Sequence, residues 1–493
     1  MRKTTDASNA DSGWNLENTY IQLPEVFYTL QRPQQVKNPK IAVFNHELAK
    51  TLGLNADVLN SPDGAALLSG NQLPEGARPL AQAYAGHQFG YFTLLGDGRA
   101  ILLGEQVTPS GDRFDLQLKG AGRTPYSRQG DGMAALGPML REYLISESMH
   151  GLGIPTTRSL AVVVTDDPVF RETRLQGAIL TRVAASHLRV GTFQLAARHL
   201  SLEHLKALVN YTLQRHDQEA AKTGEPALTL LKGVIARQAS LIARWMLTGF
   251  IHGVMNTDNM ALSGETIDYG PCAFMDVYHP DTVFSSIDHQ GRYAYGNQPA
   301  VGAWNLARFA ETLLPLLHPE KEKAILLAQD ALSVYTAQYE NFWLQGMRAK
   351  LGLSQELQHD WDLSQELLQL MQQHAADYTN TFLSLTFGRT TTPSLENDPV
   401  YQVWYRKWRD RLSREGASDE NVLALMKQSN PALIPRNHQV ERALDAAVRH
   451  GDYTVLHRLM QALRHPYAHL PEQQTYAAPA PPSSIPYRTF CGT

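Results

Sequence analysis

The chain has 493 residues, of which 43% are hydrophobic, so it is long enough for a sizeable core and more than one domain. Its 44 basic and 48 acidic residues give a net charge of −4, which disfavours a nucleic-acid-binding protein because such proteins carry a basic excess or stripe. No apolar run reaches the roughly 18 residues that a membrane span needs. Two cysteines exclude a disulfide scaffold and a multi-cysteine zinc site.

The N-terminal segment MRKTTDASNADSGW is polar. It has Asp, Asn and Ser where a signal peptide would place its apolar core, so we expect a cytoplasmic protein. We also expect residues 1–15 to be disordered, because such a segment has little apolar surface to bury.

Residues 41–191 alternate β-rich runs with turn signals. The runs 91–95 and 100–104 flank Gly96-Asp97-Gly98-Arg99, which predicts a β-hairpin with a glycine turn. The hydrophobic pattern then predicts a strand that ends at Lys119, a helix and two further strands. These four elements cover residues 114–118, 134–149, 159–164 and 175–181.

Several residues of this region are candidates for binding a nucleotide. Gly96, Gly98 and Arg99 form a turn whose backbone can approach a phosphate, although the same glycines suit an ordinary hairpin. Lys119 closes a strand and Glu142 lies in the predicted helix, 23 positions later. A strand lysine paired with a helix glutamate is typical of a kinase-type ATP cleft, whereas each residue alone would suit an exposed surface.

Two further pairs have the right chemistry for phosphate or ribose. Asp131 and Gly132, in GDGMAAL, precede the predicted helix, where helix-start amides meet anions; capping of that helix by Asp131 is the alternative. Arg182 and Arg189 lie beyond the last predicted strand. They suit a buried polyphosphate because a guanidinium group matches phosphate geometry, and the alternative is a surface position for both.

Helical patterns dominate after residue 191. The sequence therefore predicts an α+β protein with a small β-rich N-terminal lobe at 16–190 and a large, extended helical C-terminal lobe at 191–475. A Pro-rich flexible tail is predicted at 476–493. The predicted helical segments are 199–215, 227–250, 303–385, 401–414 and 440–463.

The segment 252–270, HGVMNTDNMALSGETIDYG, follows the kinase pattern of a catalytic loop and a metal-binding DFG sequence. His252, Asn259 and Asp268 fall into register with that pattern. Val254 occupies the position of the usual catalytic base and can accept no proton. Asp258, four residues later, is the candidate base. The segment therefore predicts ATP and metal binding without the usual kinase chemistry.

The chain between Asn259 and Asp268 is short and predicts a compact hairpin that brings an amide oxygen and a carboxylate together. Oxygen ligands of this kind suit Mg²⁺ or Mn²⁺. We expect His252 to be structural and to pack under the loop.

The two cysteines lie at informative positions. Cys272 is two residues beyond Gly270, and Cys491 lies in the predicted tail. The pair suits a redox contact between tail and loop, whereas two unrelated thiols are the alternative. A disulfide requires Cα atoms within about 7 Å.

Long segments of the chain resemble the SelO (selenoprotein O-like) pseudokinase family. The resemblance is carried by AYAGHQFGYFTLLGDGRA, DLQLKGAGRTPYSRQGDGMAALGPMLREYLISESMHGLGIPTTRSLAVV, TRVAASHLRVGTFQ and FIHGVMNTDNMALSGETIDYGPCAFMD. NPALIPRNHQVERAL and the cysteine near the C-terminus extend it.

The resemblance implies a protein-kinase-like fold and protein adenylylation, the transfer of AMP from ATP to Ser, Thr or Tyr side chains, with ATP reversed in the cleft. It implies that Asp258 is the base, that Asn259 and Asp268 bind the metal, and that Asp268 also contacts ATP. It further implies phosphate or nucleotide contacts for Lys119, Arg182, Arg189, Gly96, Gly98, Arg99, Asp131 and Gly132, and pairing of Glu142 with Lys119. Some members carry selenocysteine near the C-terminus, where this chain has Cys491, which weakens the case for redox control.

Two other functions remain open from the sequence. An ordinary protein or small-molecule kinase shares the fold but must find a base despite Val254. A catalytically inactive ATP-binding scaffold has no need for both metal ligands. The expected partners are ATP and target proteins, without nucleic acid or membrane.

Overall fold

The computed structural model describes residues 12–219, 224–481 and 486–490. Strands form the N-terminal region of this part of the chain, and helices dominate from residue 190 onward. The first ten strands are β1 (Leu16–Glu17), β2 (Tyr28–Leu30), β3 (Lys40–Phe44), β4 (Leu80–Gln88), β5 (Tyr91–Gly96), β6 (Ala100–Val107), β7 (Arg113–Lys119), β8 (Ala134–Ala135), β9 (Arg158–Phe170) and β10 (Arg174–Ala184).

These ten strands form one sheet whose main order is β2-β4-β6-β7-β10-β9-β3. β1 pairs with β6, β5 with β4 and β8 with β10, and the strand pairs are antiparallel. A β-rich first lobe followed by a helical second lobe confirms the predicted α+β, kinase-like class.

The sequence predicts that the runs 91–95 and 100–104 pair as a hairpin around the glycine turn, and this pairing is wrong. Among the described residues, β5 pairs with β4 through a tight turn at Phe89 and Gly90, whose φ angles are 50° and 89°. Two successive positive φ values match the right-handed twist of a hairpin, and Phe at such a position gives no turn signal in the sequence. Gly96 to Arg99 instead carries the chain from β5 to β6, which pairs with β7.

Successive side chains of β7 point to opposite faces of the sheet, so one strand contributes to both the apolar core and the cleft. Leu116 and Leu118 are fully buried in apolar clusters. Asp115, Gln117 and Lys119 occupy the alternate positions and therefore point to the opposite face of the sheet. The predicted strand ending at Lys119 is confirmed.

The helices are α1 (His46–Thr51), α2 (Ala56–Leu59), α3 (Pro62–Leu68), α4 (Leu136–Gly151), α5 (Val190–His199), α6 (Leu202–His216), α7 (Pro226–Thr248), α8 (Gln298–Leu317), α9 (Lys321–Lys350), α10 (Asp360–Gln373), α11 (Tyr378–Phe387), α12 (Pro393–Glu396), α13 (Pro399–Ser413), α14 (Asp419–Ser429), α15 (Asn437–His450), α16 (Thr454–Leu463) and α17 (Gln474–Ala477). Among the described residues, no helix combines the length and the apolar character needed to cross a membrane.

Helix α4 joins the two lobes. It packs on β9 and β10 on one side and on α15 and α16 on the other. Its buried residues, among them Leu140 and Leu144, belong to the same apolar cluster as Val440 and Leu459 of the C-terminal helices. This shared core fixes the position of Glu142, which lies on the same helix.

The segment that follows α7 is held by a small sheet. Strands β11 (Phe250–Ile251) and β12 (Ala273–Phe274) pair and close the chain between them into a loop. Inside this loop, Ala261 bridges to Arg189 and Thr266 to Thr156. The predicted hairpin between Asn259 and Asp268 is therefore wrong in its pairing, because its two arms pair with other segments instead of with each other.

The described chain ends also make specific contacts. The Asn15 backbone N–H donates to Gln106 Oε1 over 3.0 Å. Thr489 pairs with the segment around Ser285, and its hydroxyl donates to the Pro271 carbonyl over 2.6 Å. Residues 1–11 and Cys491 lie outside the described residues. The domain boundaries at 16–190, 191–475 and 476–493 stay a prediction.

Candidate active site

A cleft of about 760 Å³ lies between the sheet and the 252–270 loop. This volume suits a nucleotide-sized ligand. The cleft is lined by most of the candidates from the sequence: Gly96, Gly98, Arg99, Lys119, Asp131, Gly132, Arg182, Arg189, Asp258, Asn259 and Asp268. Glu142 lies behind this lining and contacts it through Lys119.

Five charged side chains form one cluster at the base of the cleft. Lys119 Nζ lies 2.6 Å from Glu142 Oε2 and 2.8 Å from Asp268 Oδ1. Arg182 Nη1 lies 2.7 Å from the same Asp268 oxygen and 3.3 Å from Glu142 Oε1. Arg189 Nη1 lies 3.3 Å from Asp268 Oδ2. Three cations thus face two carboxylates, which leaves one excess positive charge.

The two arginines keep unused hydrogen-bond donors. Arg182 Nε and Arg189 Nη2 are buried and have no hydrogen-bond partner among the described residues. Arg189 is fixed by its contact with the Asp258 carbonyl, 2.9 Å away, and by the Tyr84 ring, whose centroid is 4.6 Å from its Cζ. Buried donors without partners are costly, so this cluster favours an anionic ligand that supplies the acceptors.

Asp268 has a lowered pKa and a left-handed backbone conformation. Burial alone would raise its pKa, but Lys119, Arg182 and Arg189 hold the pKa of this carboxyl well below its usual range. Its backbone has a φ of +63°, a left-handed value that is uncommon for a residue with a Cβ. A charged carboxylate in a strained backbone is typical of a functional position.

Asp258 also lines the cleft, beside this cluster, because the same Arg189 Nη1 contacts both its carbonyl and Asp268; it is 8% exposed. Burial raises its pKa to about 6, although the nearby Arg189 charge opposes this rise. Its Oδ1 atom has no hydrogen-bond partner among the described residues. Gly86 packs against it so closely that a Cβ there would lie 2.6 Å from Oδ1. Contact with Gly86 of β4 therefore fixes the position of the Asp258 side chain, and its Oδ1 atom can accept a hydrogen bond.

His252, Val254 and Asn259 are the remaining positions of the kinase-like motif, and each lies where its side chain suits its surroundings. His252 is buried, and its Nε2 donates to the Ile267 carbonyl over 2.9 Å, so it supports the loop from below as predicted. Val254 is apolar and lines the cleft where a kinase would carry its base. Asn259 Nδ2 donates to the Val254 carbonyl over 2.9 Å, which leaves the amide oxygen for a metal.

The side chains fit a divalent cation. The described residues contain no group of three or more His, Cys, Asp or Glu side chains that could hold a metal by themselves. Mg²⁺ and Mn²⁺ need only one or two protein oxygens when phosphate oxygens and water complete the coordination. Asn259 and Asp268 offer two oxygen donors, and the orphan Oδ1 of Asp258 lies at the same edge.

The glycine turn is packed under a second loop. A Cβ on Gly96, whose φ is +152°, would lie 2.4 Å from the Tyr126 ring, and one on Gly98 would lie 2.9 Å from the Tyr126 carbonyl. Ser127 also donates a short hydrogen bond to the Gly98 carbonyl. The glycines therefore let the 123–132 loop close over the turn while both segments line the cleft.

The pair Asp131 and Gly132 lies in that covering loop. Asp131 Oδ2 lies 2.8 Å from Arg171 Nη1 at the cleft rim. Helix α4 begins at Leu136 after Ala135 and has no side-chain cap, so capping by Asp131 is excluded. A Cβ on Gly132, whose φ is +72°, would lie 2.1 Å from the Gly122 carbonyl oxygen.

Sequence reasoning missed Asp97 and Gln117. Asp97 lies inside the glycine turn, is 2% exposed and lines the cleft; burial raises its pKa to about 6 against the opposing Arg189 charge. Gln117 donates to Asp97 Oδ2 over 3.0 Å and accepts from Arg182 Nη2 over 2.6 Å. Gln117 could have been found from the sequence, because residues two positions apart in a strand lie on the same face and Gln117 is two positions before Lys119.

Cys272 lies behind the cleft and is fully buried. Burial raises the pKa of its thiol to about 12, although Arg141 opposes this rise. Arg141 Nη2 donates to the Cys272 carbonyl over 2.8 Å. Thr489, two residues before Cys491, contacts Pro271 next to Cys272, while Cys491 itself lies outside the described residues.

Comparison with known proteins identifies the family of this chain. Residues 12–464 match the family model described as "Protein adenylyltransferase SelO". A protein of Geobacillus kaustophilus named "Protein nucleotidyltransferase YdiU" is 61% identical over 483 residues, which cover 98% of this chain and 100% of that protein. Proteins of the same name from Bacillus cytotoxicus and Anoxybacillus flavithermus are 60% and 62% identical, over 100% and 98% of this chain and 100% of each relative. The chain therefore belongs to the SelO family of protein adenylyltransferases.

Proposed function

We propose that this protein transfers AMP from ATP to the hydroxyl groups of Ser, Thr or Tyr in target proteins and releases pyrophosphate. The observation that carries the proposal is the buried cation cluster of Lys119, Arg182 and Arg189. An ordinary kinase directs the terminal phosphate outward to the acceptor. Three buried cations would then lie far from the phosphate that is transferred. The triad instead suits a buried terminal phosphate.

With the terminal phosphates buried, the α-phosphorus lies nearer the mouth of the cleft. The acceptor hydroxyl attacks this phosphorus and forms a new P–O bond, while the bond between the α-phosphorus and the bridging oxygen breaks. The hydroxyl proton goes to the Asp258 carboxylate, whose Oδ1 is free to accept it. Lys119, Arg182 and Arg189 stabilise the charge of the departing pyrophosphate.

Asn259 and Asp268 are the residues that would hold Mg²⁺ or Mn²⁺. Such an ion, when bound, neutralises phosphate charge and polarises the phosphoryl group. In the structure Asp268 is paired with three cations, and polyphosphate oxygens can take over these cations. The carboxylate is then available as a ligand. Glu142 keeps Lys119 in place during this exchange.

Control by redox state is the second element of the proposal. A disulfide between Cys272 and Cys491, formed by exchange with a small-molecule disulfide that leaves as two thiols, would tether the tail to the loop that carries Asp268. The contact of Thr489 with Pro271 supports this pairing because it brings the described tail to the neighbour of Cys272. The buried thiol, with its raised pKa, should react only after a local opening of the core.

The deciding experiment compares two labels. The purified full-length protein is incubated with a cell lysate and either α-³²P-ATP or γ-³²P-ATP in the presence of Mg²⁺ or Mn²⁺. The expected result is protein labelling from the α-position alone. Labelling from the γ-position would establish a kinase instead, and thermal stabilisation by ATP without any labelling would establish a scaffold.

A further inference from the structure

A second groove, of about 650 Å³, opens beside the active-site cleft. Its lining includes Phe89 of the β4–β5 turn, Tyr91 at the start of β5, Arg292, and Trp304 of α8. The side chain of Tyr91 is 80% exposed at its mouth. The mechanism proposed above uses none of these residues.

The groove lies next to the segment that carries the candidate base. Gly86 of β4 packs against Asp258, and the strand ends at Gln88, next to Phe89 of the turn. The Phe89 backbone N–H donates to Asn256 Oδ1 over 3.0 Å, and the Tyr293 hydroxyl donates to the same oxygen over 2.6 Å. Asn256 lines the active-site cleft, so a chain segment in this groove can reach the site of attack.

Arg292 lines the groove, and two further arginines stack on aromatic rings beside it. Arg292 Cζ lies 4.8 Å from the Trp304 ring centroid, and Arg308 Cζ lies 5.2 Å from it. Arg198 stacks in the same way on Phe92, at 4.2 Å. Stacking fixes the plane of a guanidinium group and leaves its edge free to bind a carboxylate with two hydrogen bonds. Arg292 Nε is buried without a hydrogen-bond partner among the described residues.

The acidic groups nearby, Asp288 and Glu311, cancel only part of this charge. Asp288 is 6% exposed, and its two oxygens accept the backbone N–H groups of Arg292 and Tyr293 over 2.9 Å and 2.7 Å. Glu311 pairs with Arg308 over 2.6 Å, but its side chain is 53% exposed. Three stacked arginines against the two carboxylates of Asp288 and Glu311 leave one excess positive charge at the groove.

From this placement we infer that the groove docks the acceptor segment of the target protein, and that it selects segments with acidic side chains beside the modified hydroxyl. The inference rests on the proposed AMP transfer. The arginines bind the flanking carboxylates, and Tyr91 and Trp304 pack on the apolar parts of the segment. The acceptor hydroxyl then lies at the Asp258 edge of the cleft.

A binding experiment tests the groove without requiring catalysis. Two fluorescent peptides of equal length carry one central serine, flanked by glutamates in one peptide and by lysines in the other. Anisotropy titrations without nucleotide compare the full-length protein with the Arg292→Ala/Arg308→Ala double variant. The glutamate peptide should bind more tightly than the lysine peptide, and the double variant should lose about tenfold or more in affinity, equivalent to about 1.4 kcal/mol.

Arg409→Ala is the matched control, because Arg409 lies 5.8 Å from the Trp408 ring on α13, outside the groove. It should leave the affinity unchanged, and all variants should keep the thermal shift caused by ATP, which reports an intact fold. Equal affinity for both peptides, or no effect of the double variant, overturns the inference. Tighter binding of a short RNA that is lost in the double variant also overturns it.

The same variants separate this inference from the proposed function. With AMP transfer active, the double variant should raise KM for the glutamate peptide and leave kcat close to its original value. Selective peptide binding without any α-label transfer would contradict the proposed function and leave the docking groove standing.

Discussion

Asp268 Oδ1 lies 2.8 Å from Lys119 Nζ, so the aspartate of the DYG segment is paired directly with the lysine that ends β7. Glu142 holds the other side of the same ammonium group at 2.6 Å. The lysine therefore bridges the helix of the first lobe and the loop of the second. This bridge makes the two residues the most direct test of the site.

We expect Asp268→Ala to abolish metal-dependent AMP transfer and Lys119→Ala to reduce kcat/KM by about 100-fold or more, because each removes a charge that acts on the phosphates. The α-label assay measures both rates. Lys206→Ala, which removes a solvent-exposed lysine on α6, is the control and should keep full activity. Full activity of Asp268→Ala would contradict the assignment.

Asp258→Asn should reduce kcat by about 100-fold or more and leave the affinity for ATP almost unchanged, because the amide keeps the shape of the side chain but cannot accept the proton. Single-turnover label transfer measures the chemical step, and calorimetric titration measures ATP binding. An unchanged rate of the chemical step would show that another group accepts the proton.

Gly86→Ala should reduce AMP transfer while the fold is kept. The added Cβ would lie 2.6 Å from Asp258 Oδ1 and must push the carboxylate away from its position. Gly224→Ala is the matched control, because a Cβ there meets no atom within 4 Å. Transfer rates and melting temperatures of both variants check the prediction, and it would be wrong if the two variants had the same activity.

Cys272→Ser should remove the response of the enzyme to reductant, since it removes one partner of the proposed disulfide. The wild-type protein should change its activity several-fold on reduction, and Cys491→Ser should lose the response in the same way. Label transfer with and without dithiothreitol provides the measurement. Equal rates of the wild-type protein under both conditions would rule out the control by redox state.

Lys350→Met should stabilise the protein. Lys350 is 3% exposed and burial lowers its pKa to about 7, so the folded state binds the proton less well than the unfolded chain. Its contribution to the free energy of unfolding therefore rises between pH 7 and pH 10.5, by at most about 1.4 kcal/mol per pH unit.

The gain in melting temperature from Lys350→Met should consequently be larger at pH 7 than at pH 9. Lys321→Met, at the exposed start of the same helix, is the matched control and should change the melting temperature little. A gain that is equal at both pH values would show that the ammonium group is stabilised by the nearby Phe382 ring, whose centroid is 4.1 Å from Nζ.

The sequence by itself determined the two-lobed α+β class, because hydrophobic periodicity and chain order are local properties. It also identified Lys119, Glu142, Arg182, Arg189, Asp258, Asn259 and Asp268 as candidates through spacing and residue type, and the structure places all seven at one cleft.

Only the tertiary structure decided how these residues meet. The pairing of β5 with β4, the contact of Gly86 with Asp258 and the role of Gln117 join segments that are distant in sequence. Such contacts depend on strand register and on the packing of one lobe against the other, which no local pattern encodes. Burial raises the pKa of Asp258, and Lys119, Arg182 and Arg189 lower the pKa of Asp268 against the effect of burial; this desolvation and these neighbouring charges exist only in the folded chain.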